Sequence, residues 1–178
     1  MIIRRVVAGV DKTGKSVILS DGPAPCSLDY QYMPGQAHAR IWQVNGTVTT
    51  DAPDDEPTTN TGPMVPGPGG ASFLFLQVAP GSFVSDPRFD PVKAGEEFAT
   101  HAPDLAALME PDNPGMHRTR TVDYVVVRDG EVTLELDDGV STRLTAGDTV
   151  VQLGNRHAWR NSTERPATIA VVLTGAAR

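Results

Sequence analysis

The sequence predicts an all-β domain whose short strands close into a sandwich or barrel, and three observations carry that reading. Fifteen prolines and seventeen glycines stand against five phenylalanines and two tryptophans, a balance that favours many turns over a helical bundle. Val132, Leu134 and Leu136 alternate strictly with Thr133, Glu135 and Asp137, the period-two pattern of a half-buried strand. Short apolar runs of this kind then recur to the end of the chain at regular intervals with turn residues between them.

Taken in order, residues 2 to 8 and 15 to 20 are β-branched runs joined by a loop containing Gly14, and they predict an N-terminal hairpin. Ala39 to Val44 reads as a strand on the strength of Ile41, Trp42 and Val44. From Asn45 to Gly70 the chain has almost nothing to bury and includes Asp54-Asp55-Glu56 and a Pro-Gly run at 66 to 70, so it predicts a long exposed loop. Phe73 to Val78 is the next strand. Pro91 to Thr100 and Pro103 to Glu110 each place proline at a first helical position, and Leu105, Leu108 and Met109 share one helical face, so two short helices are expected. Asp129-Gly130 then predicts a two-residue hairpin between Asp123–Val127 and the strand at 132 to 136. Val140–Leu144, Thr149–Leu153, His157–Asn161 and Thr168–Leu173 complete the strands.

A chain of 178 residues suits one domain with a core large enough to need no staples. Within it, residues 1 to 71 are expected to pack as strands and loop on a barrel formed by 72 to 178, with a helical insertion at 82 to 116. A net charge of −7 argues against an electrostatic grip on nucleic acid or an anionic membrane. Cys26 is alone, so no intrachain disulfide forms, and Met-Ile-Ile-Arg-Arg opens the chain without the apolar run of a signal peptide or spanning helix. The expectation is a soluble, cytoplasmic protein. Phosphate-cradling loops, zinc-type cysteine clusters and a Gly-x-Ser-x-Gly elbow are all missing from the sequence.

Two segments resemble the motifs of the cupin superfamily. The first runs His117-Arg-Thr119-Arg-Thr-Val-Asp123 to Gly130, and the second runs from Gly147 through Gly154 to His157 and Asn161. The spacing between them is the family's, and Pro80-Gly81 is similar to the glycine that precedes the first motif. The resemblance implies a double-stranded β-helix, or jelly-roll, barrel, here with an N-terminal strand extension and short helices near the barrel mouth. Thr119 stands where the family has a second histidine, Asp123 where it has glutamate, and Gln152 where the second motif has proline.

In an extended strand, residues two apart share a face, so His117, Thr119, Asp123, Val125 and Val127 point the same way. The resemblance implies that His117, Asp123 and His157 hold a divalent metal ion (Fe, Mn, Ni or Zn) with open positions for a substrate. Without metal, His157 or His117 serves as general acid or base and Asp123 orients an imidazole. A third possibility is a sensor or ligand-binding barrel that performs no chemistry. Trp159 shares parity with His157 and is expected to line the cavity, with Thr119 and Val125 as further substrate contacts. The expected partner is a small organic molecule, in an oxygenase, decarboxylase, isomerase or cyclase reaction. Arg118, Arg120, Arg156 and Arg160 have the opposite parity and are expected on a solvated face paired with acids; Tyr124 should lie outside the wall, and His38 and His101 at the surface. Asn161 should satisfy backbone groups in a turn. The hairpin at 2 to 20 is expected to protect an open edge in a homodimer.

Overall fold

A computed structural model describes residues 1–53 and 55–177; Asp54, in the acidic run of the long loop, and Arg178 lie outside them. The strands are β1 (Arg4–Val10), β2 (Ser16–Pro23), β3 (Cys26–Asp29), β4 (Ala37–Val44), β5 (Ala71–Val78), β6 (Thr121–Asp129), β7 (Glu131–Glu135), β8 (Ser141–Thr145), β9 (Thr149–Leu153), β10 (Ala158–Arg160) and β11 (Ala167–Gly175). Helices α1 (Pro91–His101) and α2 (Pro103–Ala106) fall between β5 and β6. No helix among the described residues is long and apolar enough to cross a membrane.

Two sheets build the barrel. The larger has the order β3-β4-β5-β11-β6-β9, the smaller β10-β7-β8, and every pairing is antiparallel. Leu74, Val125, Val127, Ile169 and Val171 from the first meet Val132, Leu134 and Leu144 from the second in one core. Ile169 is fully buried, and burial of such a side chain contributes about 1.5–3 kcal/mol. This is the double-stranded β-helix that the motifs imply. A division of the chain at 71/72 separates β4 from β5, which are hydrogen-bonded neighbours, so the N-terminal portion supplies part of the barrel wall.

β4 is covered on both faces. Ala39 and Ile41 pack beneath Ile3 and Ala24, with Phe73 and Phe75 alongside, while His38 and Arg40 point the other way and are each 1% exposed. His38 is therefore an interior residue and not a surface one. Its strand is continuous with the barrel sheet, and the helical insertion closes over it. His101, by contrast, is only half-buried, its ring against the Asn60 carbonyl.

The expected hairpin at Asp129-Gly130 does not form. β6 has both edges occupied, by β11 and β9, so β7 leaves the sheet and pairs with β8 and β10 in the other one. Gly130 turns this corner at φ 75°, where an added Cβ would lie 2.9 Å from the Ala167 backbone. The positive-φ signal is thus real, but it marks a crossing between sheets.

Helix α1 begins as its sequence predicts, with Pro91 in the first turn and the Asp90 carboxylate accepting from the Val92 and Lys93 amides, both at 3.1 Å. The second helix is shorter than predicted and ends at Ala106. Leu108 is exposed, and the chain folds back so that the Glu110 amide donates to the Met116 carbonyl at 2.9 Å.

Candidate active site

The inward face of the β6 segment carries Thr119, Thr121 and Asp123, each at most 3% exposed, followed by Val125 and Val127 in the core. His117 precedes this strand. It joins His157 through a two-residue antiparallel bridge in which each amide donates to the other's carbonyl, at 3.0 and 2.9 Å. The bridge ties the start of the first motif to the end of the second and sets the two imidazole centroids 4.4 Å apart.

Both rings are fixed in the same tautomer. Nδ1 of His117 lies 3.0 Å from the Gly115 carbonyl, and Nδ1 of His157 lies 3.1 Å from the Asn155 carbonyl. A carbonyl only accepts, so each Nδ1 carries the proton and each Nε2 presents a lone pair. The Gln152 side-chain amide donates to His157 Nε2 at 3.2 Å, while its oxygen accepts from Asn155 Nδ2 at 3.3 Å. Burial, together with the neighbouring His157, pushes His117 down to about 4. Burial likewise lowers His157, against the Asn155 carbonyl that favours its protonated form.

Asp123 is shifted the other way. Burial raises its carboxyl above the usual range, with the Thr121 hydroxyl and His117 opposing the rise. Its Oδ1 is buried without a hydrogen-bond partner. Beside it the Thr121 and Thr119 hydroxyls are hydrogen-bonded to each other, with Oγ1 atoms 2.8 Å apart.

Asp123, Gln152, His157 and Trp159 form one wall of a cavity of about 40 Å³; Met64, Val65, Leu74, Leu76 and Leu105 are among its aliphatic walls. That is room for roughly three waters. Trp159 stands edge-on to His157, with ring centroids 6.3 Å apart, and takes the lining position its parity predicts. Val125 does not line this space; it lies further along the strand within the hydrophobic core, so it is not a substrate contact here. Thr119 faces an adjoining outer groove instead.

The implied two-His-one-Asp metal centre is not assembled. Among the described residues no three His, Cys, Asp or Glu side chains converge as an ion-binding group. The imidazoles meet through their backbone bridge, but Gln152 engages the Nε2 of His157 and burial favours the neutral form of Asp123. These donors do not fit the expected three-ligand set.

Sequence reasoning missed two contributors. Gln152 was visible as a departure from the second motif, yet its contact with His157 depends on β9 lying beside β6, where Asp123 and Gln152 are directly opposite. Met64 and Val65 lie in the compositionally bland loop and nevertheless plug the barrel. The Asp104 carboxylate accepts from the Met64 amide at 2.9 Å and from the Val65 amide at 2.7 Å. Buried Arg40 donates to the Pro63, Gly62 and His101 carbonyls. Arg156 and Arg160 are paired with acids as predicted, the first with Glu110 and Asp137, the second with Glu135. Asn161 donates to the Val78 and Arg165 carbonyls and accepts from the Thr163 amide.

No protein-family model matches the chain. It is 56% identical over 46 residues to a phomopsin biosynthesis cluster protein of Diaporthe leptostromiformis, 26% of this chain and 24% of that one. It is 48% identical over 48 residues to an oryzines biosynthesis cluster protein of Aspergillus oryzae, 27% of each chain. Over 48 residues it is also 44% identical to a cupin-domain-containing oxidoreductase of Hypocrea virens, 27% of this chain and 25% of that one. The matches thus span about a quarter of each relative's length. Among solved structures, a cupin 2 conserved barrel domain protein from Salinispora arenicola is 15% identical over 82% of this chain and 81% of that one, with a TM-score of 0.40. An RmlC-like cupin family protein with a double-stranded β-helix fold from Methanocaldococcus jannaschii is 14% identical over 59% and 70%, with a TM-score of 0.38. The two-sheet barrel has the double-stranded β-helix architecture, and the stretch shared with a cupin-domain-containing oxidoreductase makes this chain similar to cupin-domain proteins over about a quarter of its length.

Proposed function

We propose that this chain is a small-molecule enzyme that uses His157 and Asp123 as a metal-free acid–base pair inside the barrel. The observation that carries the reading is the opposed state of the two groups on one cavity wall. His157 is a neutral imidazole with its Nε2 lone pair directed at a weak, replaceable contact, and Asp123 is a buried carboxyl whose Oδ1 has no hydrogen-bond partner and whose protonated form burial favours. A neutral imidazole and a desolvated carboxyl on one wall suit proton transfer to and from a bound substrate.

In such a step His157 Nε2 removes a proton from a substrate carbon, and the Asp123 hydroxyl donates to the oxygen on which charge develops. Return of the proton at a neighbouring carbon completes an isomerisation without oxidant or reductant. His117 is a positioning residue: its backbone bridge and ring contact hold His157 in place. Trp159 supplies a flat apolar wall. Relatives named for biosynthesis clusters support a substrate drawn from small organic intermediates.

The test is deuterium incorporation into a panel of small carbonyl compounds, followed by NMR in heavy water with parallel elemental analysis. Incorporation that is lost in His157→Gln and Asp123→Asn, in protein holding no stoichiometric metal, is the expected result. Near-stoichiometric metal that disappears in both variants would replace this reading with a metal centre. No incorporation across the panel would favour a barrel that binds without chemistry.

A further inference from the structure

Beyond Val65 the barrel opens into a groove of about 1010 Å³, far larger than the inner cavity. Val65 lines both spaces, so the strap at 63–65 is the partition between them. The groove is of the size that small-molecule sites occupy. Its apolar walls include Leu108 and Leu153, which are 42% and 75% exposed.

The polar groups of the groove are cationic. Arg118 donates from Nε to the Gly154 carbonyl at 2.6 Å, and its Nη groups have no partner among the described residues. The Arg120 side chain makes no hydrogen bond or ion pair among them. Arg156 and Arg160, with the same strand parity class, are both satisfied by carboxylates. The acid that borders the groove, Asp104, is turned to the Met64 and Val65 amides and does not neutralise either arginine. On a chain of net charge −7, two arginines whose guanidinium groups have no acidic partner among the described residues, beside an apolar trough, are a specific feature.

We infer that this groove is the outer half of the substrate site and takes an organic carboxylate, its acid group on Arg118 and Arg120 and its apolar body along Leu108 and Leu153. The inference rests on the proposed small-molecule function and adds the substrate class. The guanidinium forks match a carboxylate in geometry as well as charge. The reactive end of such a ligand points towards the strap and, past Val65, to His157 and Asp123.

The experiment uses the isotopically labelled full chain titrated with 4-phenylbutyrate and with its neutral analogue 4-phenylbutan-1-ol at matched ionic strength, read by amide NMR shifts. The expected result is saturable shifts at Val122, Gly154 and Ala176, with the carboxylate binding roughly fivefold more tightly than the alcohol, the scale of one or two exposed ion pairs. Arg118→Gln with Arg120→Gln should erase that preference, and the corresponding lysine pair should keep most of it. His157→Gln should leave it unchanged, so loss of proton-transfer activity and loss of anion binding are read separately. Equal binding of the two probes, shifts located elsewhere, or a preference that survives the double glutamine variant would overturn the inference.

Discussion

His117 and His157 exchange both backbone hydrogen bonds, and this single bridge joins the two motif segments at the wall of the cavity. Because each Nδ1 faces a carbonyl, the two imidazoles share a tautomer. Long-range nitrogen NMR spectra at neutral pH should show protonated Nδ1 and bare Nε2 on both rings. His117 should stay neutral down to about 4. A His117 midpoint above pH 6 would show that its ring is not buried as described.

The Asp104 clamp makes the strap a removable barrier. Asp104→Asn keeps the shape but weakens charge-assisted bonds to the Met64 and Val65 amides, at an expected cost of about 1–3 kcal/mol. In a Trp42→Phe background, Trp159 fluorescence should become several-fold more accessible to acrylamide. Unchanged quenching would mean that the strap is held by Arg40 and by packing alone.

Asn161 secures the corner between β10 and β11 by donating to the Val78 and Arg165 carbonyls and accepting from Thr163. Asn161→Ala leaves a buried carbonyl on β5 unpaired. Chemical denaturation should report a loss of about 2–4 kcal/mol with an unchanged slope. A loss below a few tenths of a kcal/mol would show that water replaces the side chain.

His38 couples stability to pH. Burial, reinforced by Arg40, lowers it to about 4, from an ordinary value of 6.5. The unfolded chain therefore binds this proton at higher pH than the folded chain does. Its contribution is complete above the unfolded value and is lost as pH falls from 6.5 towards 4, by up to about 3 kcal/mol. His38→Gln should flatten the pH dependence of the unfolding midpoint in that window; an equally steep profile would assign the effect to other groups.

Among the described residues the β1–β2 ribbon pairs with no other strand, and it exposes Val6, Val10, Ile18 and Leu19. An isolated two-stranded ribbon is marginal in water, and β9 leaves an open sheet edge with Val151 exposed beside it. Light scattering should give twice the chain mass at micromolar concentration, falling to one chain in Val6→Glu/Ile18→Glu. A wild-type monomer would remove the dimer expectation.

Much of the barrel was legible because β-strand burial has a period of two. Val132 and Leu134 point inward, and Thr119, Asp123, Val125 and Val127 share a face as their parity requires. The Asp129-Gly130 turn was legible as a corner but not as a crossing, since local φ preferences do not say which strand already occupies an edge. Trp159 followed from parity with His157, whereas Gln152 emerged only from the β6–β9 register that sets it opposite Asp123.

The sequence by itself determined the all-β class, most of the strands but not β3, the two motif segments and most of the inward-facing residues, because these depend on alternation and turn chemistry along the chain. Tertiary structure alone decided that Asp123 is buried in a setting that favours its neutral form, that His38 lies inside and that Met64 and Val65 stopper the barrel. Each of these depends on what a distant segment brings to the same space. Desolvation and long-range hydrogen bonds act through that space, and no pattern along the chain records them.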